Sequence, residues 1–247
     1  MAGLDAVRAA ALMAAVRDAG RHADVTTAQE SARAVLPVVA ELSPLLPGRG
    51  LRRGSTVAVA ACPGPPASRP GRAQGGSAPG GSSLMMALLA AASRSGAWCA
   101  VVGLPAFGAS AAREMGIALE RLALVPHPGP QWPTMVAALI DGVDVVVAAA
   151  PTDAAATVTR RLAARARQRG CVLVPYGTWD GADITLRVAH SAWQGLERGR
   201  GRLRRRQVAI TARGRGAAAR PREVTIWMPN PAGTVAALAR PRLTLAP

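Results

Sequence analysis

Residues 75–86 read GGSAPGGSSLMM, and the reading of this stretch decides how the rest of the chain is organised. From Gly76 onward it follows the pattern G-x-x-x-x-G-K-[ST], the spacing at which backbone amides and a helix start can cradle a phosphate. Gly76 and Gly81 hold the glycine positions and Ser83 the hydroxyl position, but Ser82 stands where the lysine belongs. Such a loop has meaning only between a strand and a helix. Both flanks qualify: TVAVAA at 56–61 is a short, valine-rich apolar run, and LMMALLAAASRS at 84–95 joins helix formers to an apolar face. The intervening CPGPPASRPGRAQGG, 62–76, is too rich in Pro and Gly for a regular element.

Working outward, AWCAVVG, RLALVP, VDVVVAAA and CVLVP read as apolar strands. They alternate with the helical segments ASAAREMG, WPTMVAALIDG and an arginine-rich run from Ala154 to Arg169. Alternating strands and helices with continuously apolar strands predict a mostly parallel sheet covered on both faces. After Gly181 the rhythm changes to ITLRV, RRRQVAIT and EVTIWMP, β-branched runs separated by basic turns, which predict an antiparallel extension of the same sheet. Residues 1 to about 46 read as helical, with Leu4, Val7, Ala11 and Val16 near one face. The acidic residues of this start argue for a helix over a signal peptide. The expected organisation is an N-terminal helical segment (1–47), a core with its antiparallel extension (48–230) and a C-terminal tail (231–247), with a boundary near Gly48–Gly54.

Half of the 247 residues are apolar but only 3% are aromatic, so the core must be built from Ala, Val and Leu. All 30 basic residues are arginine, and the net charge of +16 favours a polyanionic partner, nucleic acid or an acidic protein surface. Cys62, Cys99 and Cys171 are odd in number and lack C-x-x-C spacing, which excludes a zinc site or disulfide framework and suits a reducing compartment. His127 and His190 have no partner at ligand spacing, so no metal is expected. No apolar run reaches membrane-spanning length.

The order of elements over roughly residues 50–190 resembles the core of the RecA-type recombinases. In that family a helix after the phosphate loop leads to a strand whose end carries a catalytic glutamate, and a later apolar strand ends in a magnesium-side aspartate. WCAVVGLPAFGASAAREMGIALERLALVPHPG resembles the first stretch, with Pro105 in the glutamate's place. VDVVVAAA resembles the second, with Ala149 in the aspartate's place. Lysine, base and metal-side carboxylate do separate work in phosphoryl transfer, so their joint replacement predicts a pseudo-ATPase that needs no cofactor. The loop then reads as a structural remnant. The segments that follow VDVVVAAA and the next strand, CVLVP, are also too short for the recombinases' two mobile DNA loops.

Within that superfamily, ITLRVAHSAWQGLERGRGRLRRRQVAITARGRG is similar to the C-terminal part of the ImuA-type accessory proteins of the SOS mutasome, where a tryptophan and a glycine-arginine stretch lie between strands. The resemblance implies a noncatalytic cytoplasmic bacterial protein of damage-induced translesion synthesis. Its partners would be a Y-family polymerase homologue and an error-prone replicative-type polymerase, with single-stranded or damaged DNA and self-association as further expectations. Two other readings stay open: a SulA-type division inhibitor that binds the tubulin-like division protein, and a nucleotide-binding repair or recombination protein.

Two basic stretches are candidate surfaces. Arg198, Arg200, Arg202, Arg204, Arg205 and Arg206, with Trp193 upstream, could contact phosphates and stack on a base; if they enter a strand, alternate arginines point to opposite faces. Arg161, Arg165 and Arg169, at i, i+4 and i+8, form a cationic stripe on a helix that could receive an acidic partner or serve as its outer face. Tyr176, Trp179 and Asp180 follow a strand's carboxyl end, where open α/β sheets bind ligands.

Overall fold

A computed structural model describes residues 34–60, 80–197 and 200–238. A nine-stranded sheet organises them. In chain order its strands are β3 (Val57–Ala60), β4 (Cys99–Val102), β5 (Leu122–Val125), β6 (Val145–Ala149), β7 (Val172–Tyr176), β8 (Ile184–Glu197), β9 (Arg200–Gly214), β10 (Arg222–Trp227) and β11 (Ala236–Ala237). Their spatial order is β11-β10-β9-β8-β3-β7-β6-β4-β5. From β8 to β5 all neighbours are parallel, and from β8 to β11 all are antiparallel. The expected parallel core with an antiparallel extension is therefore observed.

Among the described residues four helices cover the sheet: α1 (Gly81–Arg94), α2 (Ala109–Glu114), α3 (Trp132–Gly142) and α4 (Ala156–Arg169). Strand alternation sorts them onto two faces. Val57, Val59, Cys99, Val101, Val145 and Val147 point into one core cluster, with Leu84, Leu88 and Leu89 of α1 and Ala112 of α2. Their sequence neighbours Ala58, Ala100, Val102, Val146 and Ala148 point into the other, with Val136 and Leu139 of α3 and Leu162 and Ala166 of α4. The strands are thus apolar on both sides because both sides are covered. Helix ends follow local chemistry: Pro133 sits in the first turn of α3, and Gly170, at φ 69°, closes α4 in the left-handed conformation.

The β8–β9 ladder runs from the pair Ile184–Gly214 to the pair Glu197–Arg200, with irregularities between Val188 and His190 and between Gln194 and Leu196. β3 ends at Ala60, opposite Arg187. The hairpin therefore overshoots its parallel neighbour and projects past the carboxyl ends of the central strands.

Three expectations need correction. Residues 35–37 form a strand, β1 (Val35–Pro37), paired antiparallel with β2 (Gly50–Arg52), and Ser43–Leu45 form a single 3-10 turn. Val35, Pro37, Pro44 and Pro47 oppose a continuous helix there. Residues 1–33 of the proposed helical segment lie outside the described residues. The boundary near Gly48–Gly54 does not separate independently packed units, since β1 and β2 pair across it and Leu36, Leu42, Leu45, Leu46 and Leu51 join the α1-side core. Finally, some of the expected tail is structured: β11 pairs with the edge of β10 at Ile226–Ala237 and Trp227–Ala236.

Candidate functional site

The carboxyl ends of β4, β6 and β7 open into a cavity of about 930 Å³. The chain reaches this place because the crossover after β3 carries α1 over β7 and β6 to β4, and β6 and β7 later fill the gap. Such a crevice at the carboxyl edge is where open α/β sheets hold ligands. Ser82, Pro105 and Ala149, the three positions where the sequence is expected to replace the phosphoryl-transfer groups, all line it. They are far apart in sequence, and the fold brings them together. None carries a charge, and the acid lining the cavity is Asp180. Close approach of β4 and β6 shapes the floor: at Gly103, φ 77°, a Cβ would stand 2.8 Å from the Ala149 carbonyl oxygen.

Tyr176 and Trp179 also line the cavity. The Tyr176 hydroxyl lies 3.3 Å from Ser82 Oγ and would stand 3.0 Å from a Cβ on Gly81, so it packs against the first turn of α1. Trp179 is turned into the core, its ring 6.5 Å from that of Trp132. Thr159 of α4 is a cavity residue that sequence reading missed; its Oγ1 donates to the Ala156 carbonyl within its own helix.

Helix α1 begins at the second half of the glycine pattern. Gly80 is its N-cap, at φ 102°, and as a glycine offers no side-chain cap; no residue of the first turn is acidic. Gly76, the first glycine of the pattern, lies outside the described residues.

The arginine row does not act as one patch. Period-two alternation divides it: Val208, Ile210 and Ala212 of β9 face the α1-side core, and Arg206 continues that row. Arg206 is 6% exposed, not a surface residue. Its Nη2 donates to Ser191 Oγ at 3.1 Å, its guanidinium lies 5.6 Å from the Trp193 ring centre, and its Nε has no hydrogen-bond partner. Among the described residues no carboxylate pairs with it, and burial pulls its pKa below the ordinary arginine value. A Cβ on Gly80 would overlap the same guanidinium, its Cζ being 3.0 Å away. Arg205 takes the opposite face, 4.2 Å over the Trp227 ring, with Nε donating to Gln194 Oε1 at 2.9 Å. Arg202 and Arg204 are exposed, as are Trp193 at 47% and Leu203 at 50%. Arg200 enters only as the first position of β9, and Arg198 lies outside the described residues.

The stripe on α4 is partly engaged. Asp141 of α3 accepts hydrogen bonds from both Nε and Nη2 of Arg165, and Arg169 Nε lies 3.1 Å from its Oδ1. The Arg165 hydrogen bond is the main cause that holds the Asp141 carboxyl below its ordinary pKa. Arg161 is exposed and pairs with no acid among the described residues. Two of the three arginines thus tie α4 to α3.

The profile of the MT3502 N-terminal domain family matches residues 44–181, more than half of the chain. The protein belongs to the MT3502 N-terminal domain family. The matched segment runs from the 3-10 turn through every strand that lines the cavity, and the β8–β9 hairpin follows it. Among curated proteins, the Mycobacterium tuberculosis uncharacterized protein Rv3395c is 40% identical over 109 residues, 43% of this chain and 53% of that protein. The chain thus matches about half the length of that relative. Among solved structures, the RadB recombinase superposes with a TM-score of 0.53 at 13% identity, over 82% of this chain and 98% of that one. At that identity the likeness speaks to the fold, which is RecA-like α/β.

Proposed function

We propose that this protein is a noncatalytic RecA-like accessory of damage-induced mutagenic DNA synthesis, a scaffold that holds a Y-family polymerase homologue, alongside an error-prone replicative-type polymerase, and contacts DNA. The observation that carries this reading is the cavity itself. Ser82, Pro105 and Ala149 meet around one crevice and supply neither cation nor carboxylate for phosphoryl transfer. A RecA-like core so altered serves as a platform. Its projecting β8–β9 hairpin carries exposed Trp193, Arg202, Leu203 and Arg204, side chains suited to phosphate contact, base stacking or a protein partner. The resemblance of that segment to the ImuA-type accessory proteins names the partner class.

Affinity capture of the tagged chain from DNA-damaged cells of its source should recover a Y-family polymerase homologue, and purified protein with Mg-ATP should release no phosphate above a no-enzyme blank. Recovery of the tubulin-like division protein instead would favour the division-inhibitor reading. ATP turnover would overturn the noncatalytic assignment.

A further inference from the structure

The helical layer on one side of the sheet stops at β3. There Ala58 of β3 shares a core cluster with Leu162 and Ala166 of α4, and that cluster takes no described residue from β8, β9 or β10. Register carries the same face outward, since Ala58 is level with Thr185 of β8 and Ala60 with Arg187. Leu186, Val188, Ile210, Ala212, Val224 and Ile226 turn to the opposite, α1-side core. Alternation therefore turns Arg187, Arg213, Glu223 and Trp227 onto the uncovered face. Arg187, Arg213 and Glu223 are exposed there.

This face has a low floor and a basic rim. Ala209 stands between His190 of β8 and Thr225 of β10, and Thr211 between Arg187 and Glu223. Arg187 lies opposite Thr211, and Arg213 opposite Thr185. An acid at either threonine would stabilise the pair, but neither arginine pairs with a carboxylate among the described residues. Towards α4, Arg167 and Arg215 share Asp183 Oδ1 at 3.8 and 3.5 Å, while its Oδ2 accepts from the Thr56 amide. At the far end Arg205 lies over Trp227. The face thus carries more cations than its acids offset, and two of them are uncommitted.

We propose that the uncovered face of β8, β9 and β10 binds single-stranded DNA, with Arg187 and Arg213 contacting successive phosphates. The inference rests on the reading of the chain as a scaffold that contacts DNA, and it places a contact away from the hairpin's end. Alternation along β9 puts Arg202 and Arg204 on the side of Arg206, the other face of the sheet. Arg187 and Arg213 are diagonal neighbours on adjacent strands, about 7–8 Å apart, which is close to the step between phosphates of an extended single strand. Three strands make a floor about 10 Å across, narrower than a duplex. The short side chains of that floor let unpaired bases approach the sheet, while the guanidinium groups hold the backbone.

The test is fluorescence anisotropy of a labelled oligothymidylate with the full chain across a salt series. Changing Arg187 and Arg213 together to Gln should weaken binding roughly tenfold at low salt and flatten the dependence of log Kd on log salt by about 1.4, two phosphates at about 0.7 each. Arg52→Gln with Arg113→Gln removes the same charge from elsewhere on the surface and should change neither. In wild-type protein the amide resonances of Thr185, Arg187, Thr211 and Arg213 should shift saturably with the oligonucleotide, a readout that needs no variant. A duplex of the same length should bind more weakly than the single strand. Wild-type binding that the Arg187 and Arg213 changes leave intact, or shifts confined to other residues, would overturn this face and leave the hairpin's end as the DNA contact. Equal affinity for the duplex or for polyglutamate would also overturn it, as a surface for anions in general. No binding by wild type would overturn both DNA contacts, and capture of the polymerase homologue would still decide the scaffold reading.

Discussion

Asp141 shows what one carboxylate does on so basic a surface. It sits on α3 and binds Arg165 and Arg169, which the sequence presents only as members of a cationic stripe on α4. Its pKa is lowered in the folded state, chiefly by the Arg165 hydrogen bond. A carboxylate whose folded pKa lies below its unfolded one contributes its full stabilisation above the ordinary carboxylate range, about pH 4, and loses it as pH falls through the lower folded value. The stability gap between wild type and Asp141→Asn, followed by urea melts, should therefore be constant from neutral pH to about 5 and narrow below about 4. A gap that ignores acid would mean that the pairs contribute nothing to folding, as many exposed ion pairs do. Asp141 is visible in the sequence, but nothing in its neighbourhood announces two arginines more than twenty residues away.

At the scale of elements, the β8–β9 hairpin departs most from what sequence predicts. ITLRV and RRRQVAIT read as ordinary short strands, whereas β8 spans Ile184–Glu197 and β9 spans Arg200–Gly214. The added length comes from AHSAWQGLE in β8 and from RGRL and ARG at the two ends of β9, segments whose composition carries little strand preference and which are held by cross-strand pairing. Pairing also separates the arginines by face. If DNA binds through the exposed side, changing Arg202 and Arg204 together to Ala should weaken single-stranded DNA binding at low salt. It should also flatten the dependence of log Kd on log salt by roughly 0.7 for each phosphate no longer neutralised. Fluorescence anisotropy across a salt series measures this, and an unchanged slope would remove the hairpin from the DNA surface. Changing Arg205 alone should matter less, because its guanidinium is committed to Trp227 and Gln194.

For the whole molecule, the two-sided core makes a chemical prediction about cysteine. Cys99 of β4 and Cys171 immediately before β7 belong to opposite core clusters. Burial pushes the Cys99 thiol up to about 12 and moves Cys171 in the same direction. Only a thiolate reacts with alkylating reagents. Native protein treated with iodoacetamide at pH 8 should remain unmodified at both positions by mass spectrometry and become labelled at both once urea unfolds it. Rapid native labelling of either cysteine would mean that the sheet opens on that face.

The alternation of strands and helices and the antiparallel end are legible in the linear chain, as is the glycine pattern with Ser82 in place of a lysine. Apolar runs, helix formers and motif spacing are local properties that survive without coordinates. What only the tertiary structure decided is who meets whom. The register of β9 on β8 sends Arg206 to the helix face and Arg205 away from it, and the crossover of α1 sets Gly80 in front of that guanidinium. The strand that begins at Val35 and the pair at Trp227–Ala236 likewise depend on partners distant in sequence. A run of arginines carries its charge in the sequence, but the burial of one of them, with no carboxylate paired to it among the described residues, arises only when a sheet of fixed register closes on a helix.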